Sequence, residues 1–210
     1  MNDIIKALNW RYAVRVFDPA KKVSDEDVQI ILESGRLAPS SFGIEPWKFI
    51  VVKNPEIRVK LRAASYDQPK VTDASHLIVI ARRTDARSAM TPELVDRTVK
   101  AQSVDPSMLE GLKNMVDGFI AGQTDASLDA WVMGQVYIPL GVMVTTAAQL
   151  GVDSGPMGGF NPVEVDAILD LPSQNLTSTV MLALGYRGED PAAVRPKVRR
   201  AFADAISIVE

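Results

Sequence analysis

Hydrophobic positions alternate between two rhythms along the chain, one helical and one strand-like, and the change points are marked by capping residues and prolines. Val28, Ile31, Leu32 and Gly35 fall on one face at helical spacing behind Ser24 and Asp27. That pairing is a capping box, and it predicts a helix that stops at Ala38, because Pro39 disfavours helical geometry in the residue before it. A shorter helix is expected from Asp3 to about Trp10. WKFIVV (47–52), HLIVIA (76–81) and TSTVMLALGY (177–186) are rich in β-branched and aliphatic residues and predict strands. Asn54-Pro55 predicts a helix through about Ala64. Further helices are expected to start at Thr91-Pro92, at Asp105-Pro106, near Ser127, and at Asn161-Pro162 with Glu164 at the third position.

The helical stretches between strands are very unequal, and no βαβ rhythm repeats, so an α+β domain is expected rather than a doubly wound one. No repeat or Gly/Ser-rich linker marks a boundary, which predicts one domain over residues 1–210. Residues 190–210, with two prolines and the basic residues Arg195, Lys197, Arg199 and Arg200, read as a C-terminal arm. Residues 130–152 carry no charge, long enough for a membrane span. They also contain Gln135, Gln149, Thr145, Thr146, Pro139 and three glycines, and are flanked by Asp129 and Asp153 without a basic anchor. A helix buried on all sides, in a large core or a subunit interface, fits better, with a kink or local break at Pro139.

Composition narrows the chemistry. The 210 residues are 47% hydrophobic and 23% charged, ordinary for a globular protein. A net charge of −3 gives no overall positive field for nucleic acid or an anionic membrane. The absence of cysteine excludes disulfides and thiolate chemistry, and the N-terminus shows no secretory signal pattern, so the cytoplasm is expected. His76 is the single histidine and opens an apolar run, where a hydrogen-bonded structural role is favoured over a catalytic one. No metal-ligand motif and neither GxGxxG nor GxxxxGK[ST] is present. An enzyme with so few reactive side chains would rely on a bound cofactor held outside a dinucleotide fold. GPMGGF (155–160) reads as a glycine-rich loop, and two basic groups, Arg11 with Arg15 and the RPKVRR tail, suit either a phosphate or a solvated charged surface. Lys70 reads as exposed unless a ligand recruits it.

RYAVRVFDPAKKVSDEDVQIILESGRLAPSSFGIEPWKFIVV resembles the opening of the nitroreductase family of FMN-dependent oxidoreductases. QPKVTDASHLIVIA, GVDSGPMGGF, ALGYRGED and RPKVR follow in that family's order, so the likeness covers nearly the whole chain. The resemblance implies a central, mainly antiparallel sheet surrounded by helices, and an intertwined homodimer with FMN sites at its interface. The uncharged helix would then be the dimer-core helix. It also implies ping-pong hydride transfer from NAD(P)H, through flavin N5, to a nitroaromatic, quinone or similar flat acceptor, with no catalytic side chain. Dehalogenation, dehydrogenation, or flavin binding without turnover stand as alternatives.

The resemblance assigns roles residue by residue. Arg11, Lys197 and Arg199 match phosphate-holding positions, and Tyr12 and Ala13, next to Arg11, are assigned to the cofactor site with them, Ala13 through its backbone. Arg15 and Lys70 match cations beside the flavin pyrimidine, where negative charge gathers on reduction. Gln68 matches an amide at the ring edge. Pro39, Ser40 and Ser41 would be laid against the flavin of the neighbouring subunit, and Pro156, Met157, Gly158 and Gly159 would pass near N5. Phe42 and Phe119, with Trp131, would line the substrate pocket unless they serve only core packing. Two positions depart from the family pattern: Ala13 where many members have serine, and Gly158 where several have glutamate.

Overall fold

A computed structural model describes residues 2–209. The first helix, α1 (Asp3–Trp10), is capped by the Asn2 side chain, which accepts from the Ile4 N–H at 2.9 Å. In α2 (Asp25–Arg36) the Ser24 hydroxyl accepts from the Asp27 N–H at 3.1 Å and donates to the Asp27 carboxylate at 2.8 Å. Ser24 caps the helix as read from sequence, with Asp27 accepting from its hydroxyl; the helix ends at Arg36, two residues before the predicted stop. Strand β1 (Trp47–Val51) leads to α3 (Pro55–Ala63), capped by Asn54, then to the single turn α4 (Lys70–Asp73) and β2 (His76–Arg83).

The next helix corrects the sequence reading. α5 (Ala86–Gln102) begins well before Thr91-Pro92, and Pro92 lies inside it. The Asp85 carbonyl accepts from the Ser88 and Ala89 N–H groups, so the backbone starts this helix without a side-chain cap. Pro92 removes only the bond to the Ser88 carbonyl, on an exposed residue where water can replace it. Residues Pro106–Leu109 form a 3₁₀ turn, followed by α6 (Glu110–Ala121) and α7 (Asp125–Gln149), whose N-cap is Thr124. α7 runs through Pro139 without a break.

A second correction concerns GPMGGF. Its first residues belong to strand β3 (Asp153–Met157), which the glycine and proline content hides. α8 (Pro162–Leu169) then starts at Asn161, whose side-chain oxygen accepts from the Val163 N–H at 3.1 Å, and leads to β4 (Leu176–Gly185). The tail carries a 3₁₀ turn at Pro191–Val194 and a single-turn helix, α9 (Phe202–Ala205).

The strands form one sheet in the order β1-β2-β4-β3, with every neighbouring pair antiparallel. Both faces are covered, which explains why HLIVIA and TVMLAL are continuously apolar rather than alternating. Ile78, Ile80, Leu182 and Leu184 pack toward α2 and α7, while Leu77, Val79 and Met181 pack toward α3 and α8. Each such fully buried aliphatic side chain contributes about 1.5–3 kcal/mol of transfer free energy. Gly35 faces α7 closely enough that an added Cβ would meet Met143 Sδ at 2.7 Å.

α7 is the one described helix long and apolar enough to cross a membrane. Leu128, Val132, Val136, Leu140, Met143 and Ala147 are buried along one face, whereas Met133, Tyr137 and Ile138 are exposed on the other. Burial on all sides is therefore corrected to burial on one side within a single chain.

Gly155 decides how the N-terminal segment meets the sheet. A Cβ there would stand 2.7 Å from the Val14 carbonyl oxygen, a backbone atom that cannot swing away. Gly155→Ala is expected to cost about 1–3 kcal/mol, lowering Tm by about 2–4 °C per kcal/mol. Gly158→Ala, with no atom within 4 Å of the new Cβ, should stay within about 0.5 kcal/mol. Equal melting temperatures for the two variants would refute this packing.

Candidate functional site

After α1 the chain turns into an extended segment whose side chains alternate. Val14 and Phe17 are buried, while Ala13 and Arg15 face outward. The segment is fixed by its backbone: Val14 N–H donates to the Ser154 carbonyl at 3.1 Å, and Ala13 bridges Ser154 in parallel sense. Phe17 fills the space left by Gly185, where a Cβ would lie 2.7 Å from its ring. Ala13 and Arg15 thereby line a cavity of ≈ 550 Å³ together with Gln68, Pro69, Lys70 and Pro156. They also line an adjoining cavity of ≈ 440 Å³ shared with Arg11, Tyr12, Arg195, Lys197 and Arg199.

Among the described residues, none of Arg11, Arg15, Lys70, Lys197 and Arg199 forms a salt bridge, although twelve pairs occur elsewhere. Lys197 Nζ instead donates to the carbonyls of Leu8 (2.7 Å) and Arg11. Arg11 Nε is buried without a hydrogen-bond partner among the described residues. Burial, and then the neighbouring Arg199, hold the Arg11 guanidinium below its ordinary pKa. Lys197 is lowered by burial and then by Arg11 and Arg199, and Lys70 by burial and then by Arg15. Both causes oppose the charged form, so an anion entering here would relieve strain rather than compete with an existing partner.

Carboxylates missed in the sequence reading hold this positive cluster in shape. Asp190 accepts from Tyr12 Oη at 3.1 Å, the Arg15 N–H at 3.2 Å and the Ala192 N–H at 2.9 Å, tying the N-terminal segment to the start of the arm. Burial alone would raise the Asp190 pKa, but those donors outweigh it and leave it below the usual carboxylate range. Tyr12 is pushed up to about 12 by burial and by Asp190. Arg187 lies over the Trp10 and Tyr12 rings, 4.4 and 4.8 Å from their centroids, and grips Asp153, only 3% exposed, through Nη2 at 2.5 Å. Asp190 and Arg187 belong to YRGED, where an acid or base in a loop gives no sign of its partner.

The remaining expected residues divide. Lys70 is half-buried rather than exposed, and Pro156 lines the cavity. Gln68 spends its amide nitrogen on the Ser65 and Gly159 carbonyls, at 3.0 and 2.7 Å, and so fastens the loop rather than presenting an N–H. The Met157 side chain turns into the core beside Val79 and Met181 and lines neither cavity, while Gly158 and Gly159 are exposed. Pro39 and Ser41 are exposed and line neither cavity. Their loop is held by Gln135 Oε1 accepting from the Ser41 N–H at 2.8 Å and Ser40 Oγ accepting from the Glu45 N–H at 2.9 Å. Phe42, Phe119 and Trp131 form an aromatic cluster with centroid separations of 4.8–6.3 Å, also outside both cavities. His76 follows the structural reading, with Nδ1 3.0 Å from Ser75 Oγ.

Two cavities that share Ala13 and Arg15, edged by cations without a carboxylate partner among the described residues, on an antiparallel sheet enclosed by helices, define a class that comparison makes specific. The family model described as "Nitroreductase family" matches residues 8–186. YfkO of Bacillus subtilis, a candidate NAD(P)H nitroreductase by name, is 41% identical over 98% of this chain and 97% of its own. A Staphylococcus epidermidis relative with the same kind of name is 40% identical over 99% and 97%. Among solved structures, a nitroreductase-like protein of Streptococcus mutans superposes with a TM-score of 0.87 at 23% identity, covering 100% of both chains. A candidate nitroreductase of Exiguobacterium sibiricum in complex with FMN gives 0.84 at 21% identity, covering 100% and 98%. The chain belongs to the nitroreductase family.

The clamp between Arg187 and Asp153 makes a specific prediction. Arg187→Gln leaves the buried Asp153 carboxylate with the residue-187 backbone N–H at 2.8 Å but without its counter-charge, and should cost about 2–4 kcal/mol. Arg187→Lys should recover only part, since a lysine cannot reproduce the forked contact. Urea unfolding of both variants checks this, and full stability of Arg187→Gln would contradict it.

Proposed function

We propose that the chain is an FMN-dependent NAD(P)H oxidoreductase that works as a homodimer, with residues 1–210 as one domain and 190–210 as an arm toward the partner. The observation that carries the proposal is the buried Arg11 Nε, which among the described residues has no hydrogen-bond partner and lies amid cations without carboxylate partners. A phosphate monoester fits that environment: Arg11, Lys197 and Arg199 would hold it, matching its charge through forked and point contacts. Arg15 and Lys70, across the adjoining cavity, would lie beside the pyrimidine of the ring. When bound, FMN supplies hydride acceptance from NAD(P)H and delivery to a flat acceptor such as a nitroaromatic or quinone, in ping-pong order.

The chain's own part is binding, orientation and charge. Lys70, whose ammonium is disfavoured by burial and by Arg15, gains most from added negative charge nearby. It therefore favours the reduced cofactor and raises its potential. Gln68 holds Gly159 in place, and small exposed Gly158 and Gly159 leave room for a stacked substrate.

Dimerisation is supported by surface that one chain leaves open. Met133, Tyr137 and Ile138 on α7 are exposed, as are Val194, Val198, Phe202 and Ile208 along the arm. Apolar area of this extent calls for a partner. A second chain would bring the Ser40–Ser41 loop to its neighbour's cofactor. The bacterial relatives and the cysteine-free composition support a cytoplasmic location.

Purified protein should carry or take up FMN, visible in its absorption spectrum, and the flavin should bleach rapidly with NADH or NADPH under anaerobic conditions. Lys70→Gln should lower the two-electron midpoint potential by about 30 mV, equivalent to about 1.4 kcal/mol. Protein that stays colourless when offered FMN would overturn the proposal.

A further inference from the structure

A cavity of ≈ 520 Å³ opens between the start of α2, the β1–α3 connection and the start of β2. It is lined by Lys22, Asp25, Lys53, Arg58 and His76, and shares no lining residue with the two cavities described above. We propose that this cavity is a second anion site, which takes a phosphate dianion, free or as part of a nucleotide.

Arg58 is its base. The residue is 8% exposed, and its guanidinium is locked by three carbonyls: Nε to Val71 at 2.8 Å, Nη1 to Ser75 at 3.2 Å and Nη2 to Ala74 at 2.6 Å. Guanidinium has five N–H groups, so one on each terminal nitrogen remains after these bonds. Among the described residues no carboxylate forms an ion pair with it, and Asp73 acts on it only at a distance. A cation buried without a counter-ion but held rigidly in place is poised for a ligand that supplies the missing charge. Lys22 and Lys53, both exposed, add two mobile ammonium groups, and Asp25 subtracts one charge, leaving three cations against one carboxylate. A doubly charged oxyanion matches that balance and the remaining guanidinium donors.

His76 makes the site sensitive to occupancy. Its ring is oriented by Ser75, whose Oγ lies 3.0 Å from Nδ1 and accepts from the Val23 N–H at 2.9 Å. The groups that act on it are Lys22 and Asp25 at the start of α2, Lys53 before α3, and Arg58 in α3. Its pKa is held below the ordinary value by burial first and then by Lys53, with Asp25 opposing and Arg58 and Lys22 adding. A bound anion offsets the three cations, so binding should draw a proton onto the imidazole.

His76 is the chain's single histidine, so its imidazole NMR resonances report this cavity and not the flavin site. The full-length protein, loaded with FMN at one equivalent per chain and then freed of unbound flavin, is titrated with inorganic phosphate at constant ionic strength set by sodium chloride. The resonances should move saturably, and their pH midpoint should rise by about one unit. Lys22→Gln with Lys53→Gln, both on exposed side chains, should weaken phosphate binding about tenfold while the melting temperature stays unchanged. Adenosine 2′,5′-bisphosphate binding tighter than phosphate assigns the site to a nucleotide, and equal binding assigns it to the free ion; both support the proposal. Absence of a saturable shift, or unchanged phosphate affinity in the double variant, overturns it. Neither result depends on whether FMN turnover occurs.

Discussion

The close approach of the Arg11–Phe17 segment to β3 and β4 is the constraint on which the rest of the structure depends. It is permitted by missing atoms: Gly155 clears the Val14 carbonyl and Gly185 clears the Phe17 ring. With Val14 and Phe17 pinned inside, Arg15 and Ala13 have only one direction left, toward the cavity edged by Lys70 and Pro156. The same segment carries Arg11 to the tail lysine, whose ammonium caps the Arg11 carbonyl. Residues nearly two hundred positions apart thus meet because of backbone packing, and their charges accumulate as a consequence.

Accumulated like charge is unfavourable, and the protein counters it by fixing geometry rather than by neutralisation. Asp190 is saturated by donors from Tyr12, Arg15 and Ala192, and Asp153 by Arg187, so neither acid is free to quench the cluster. The cost of holding Arg11, Lys70 and Lys197 charged is met by the fold, and an anionic ligand bound as proposed would recover it as binding energy. Among the described residues the site contains no thiol and no metal-ligand cluster. On the proposed reading, its chemistry is placement of charge around a cofactor.

Much of this was legible in the sequence. Ser24, Asn54 and Asn161 announced helix starts because capping is a local exchange of hydrogen bonds, settled within three residues. The strands 76–83 and 176–185 were legible because burial on both faces leaves an unbroken apolar run. β3 was not, since its residues include a glycine and a proline whose place in the sheet is dictated by Val14 and β4, not by their own propensity. α5 misled because Pro92, a common first-turn residue, sits inside a helix that starts on the backbone alone. The roles of Gln68 and Met157 depend on contacts with distant residues, as do those of Asp153, Arg187 and Asp190, which no spacing rule exposes. The pairing of Ser41 with Gln135 across 94 positions is of the same kind.

We propose that Arg11, Lys197 and Arg199, which lack a carboxylate partner among the described residues, hold a phosphate. Comparing FMN with riboflavin, which lacks that group and is otherwise the same flavin, isolates the claim in one titration of the apoprotein. Flavin fluorescence should report FMN bound at least about a hundredfold more tightly, a difference of about 2.7 kcal/mol, with the gap narrowing as salt is raised. Equal affinity for the two flavins would contradict the account.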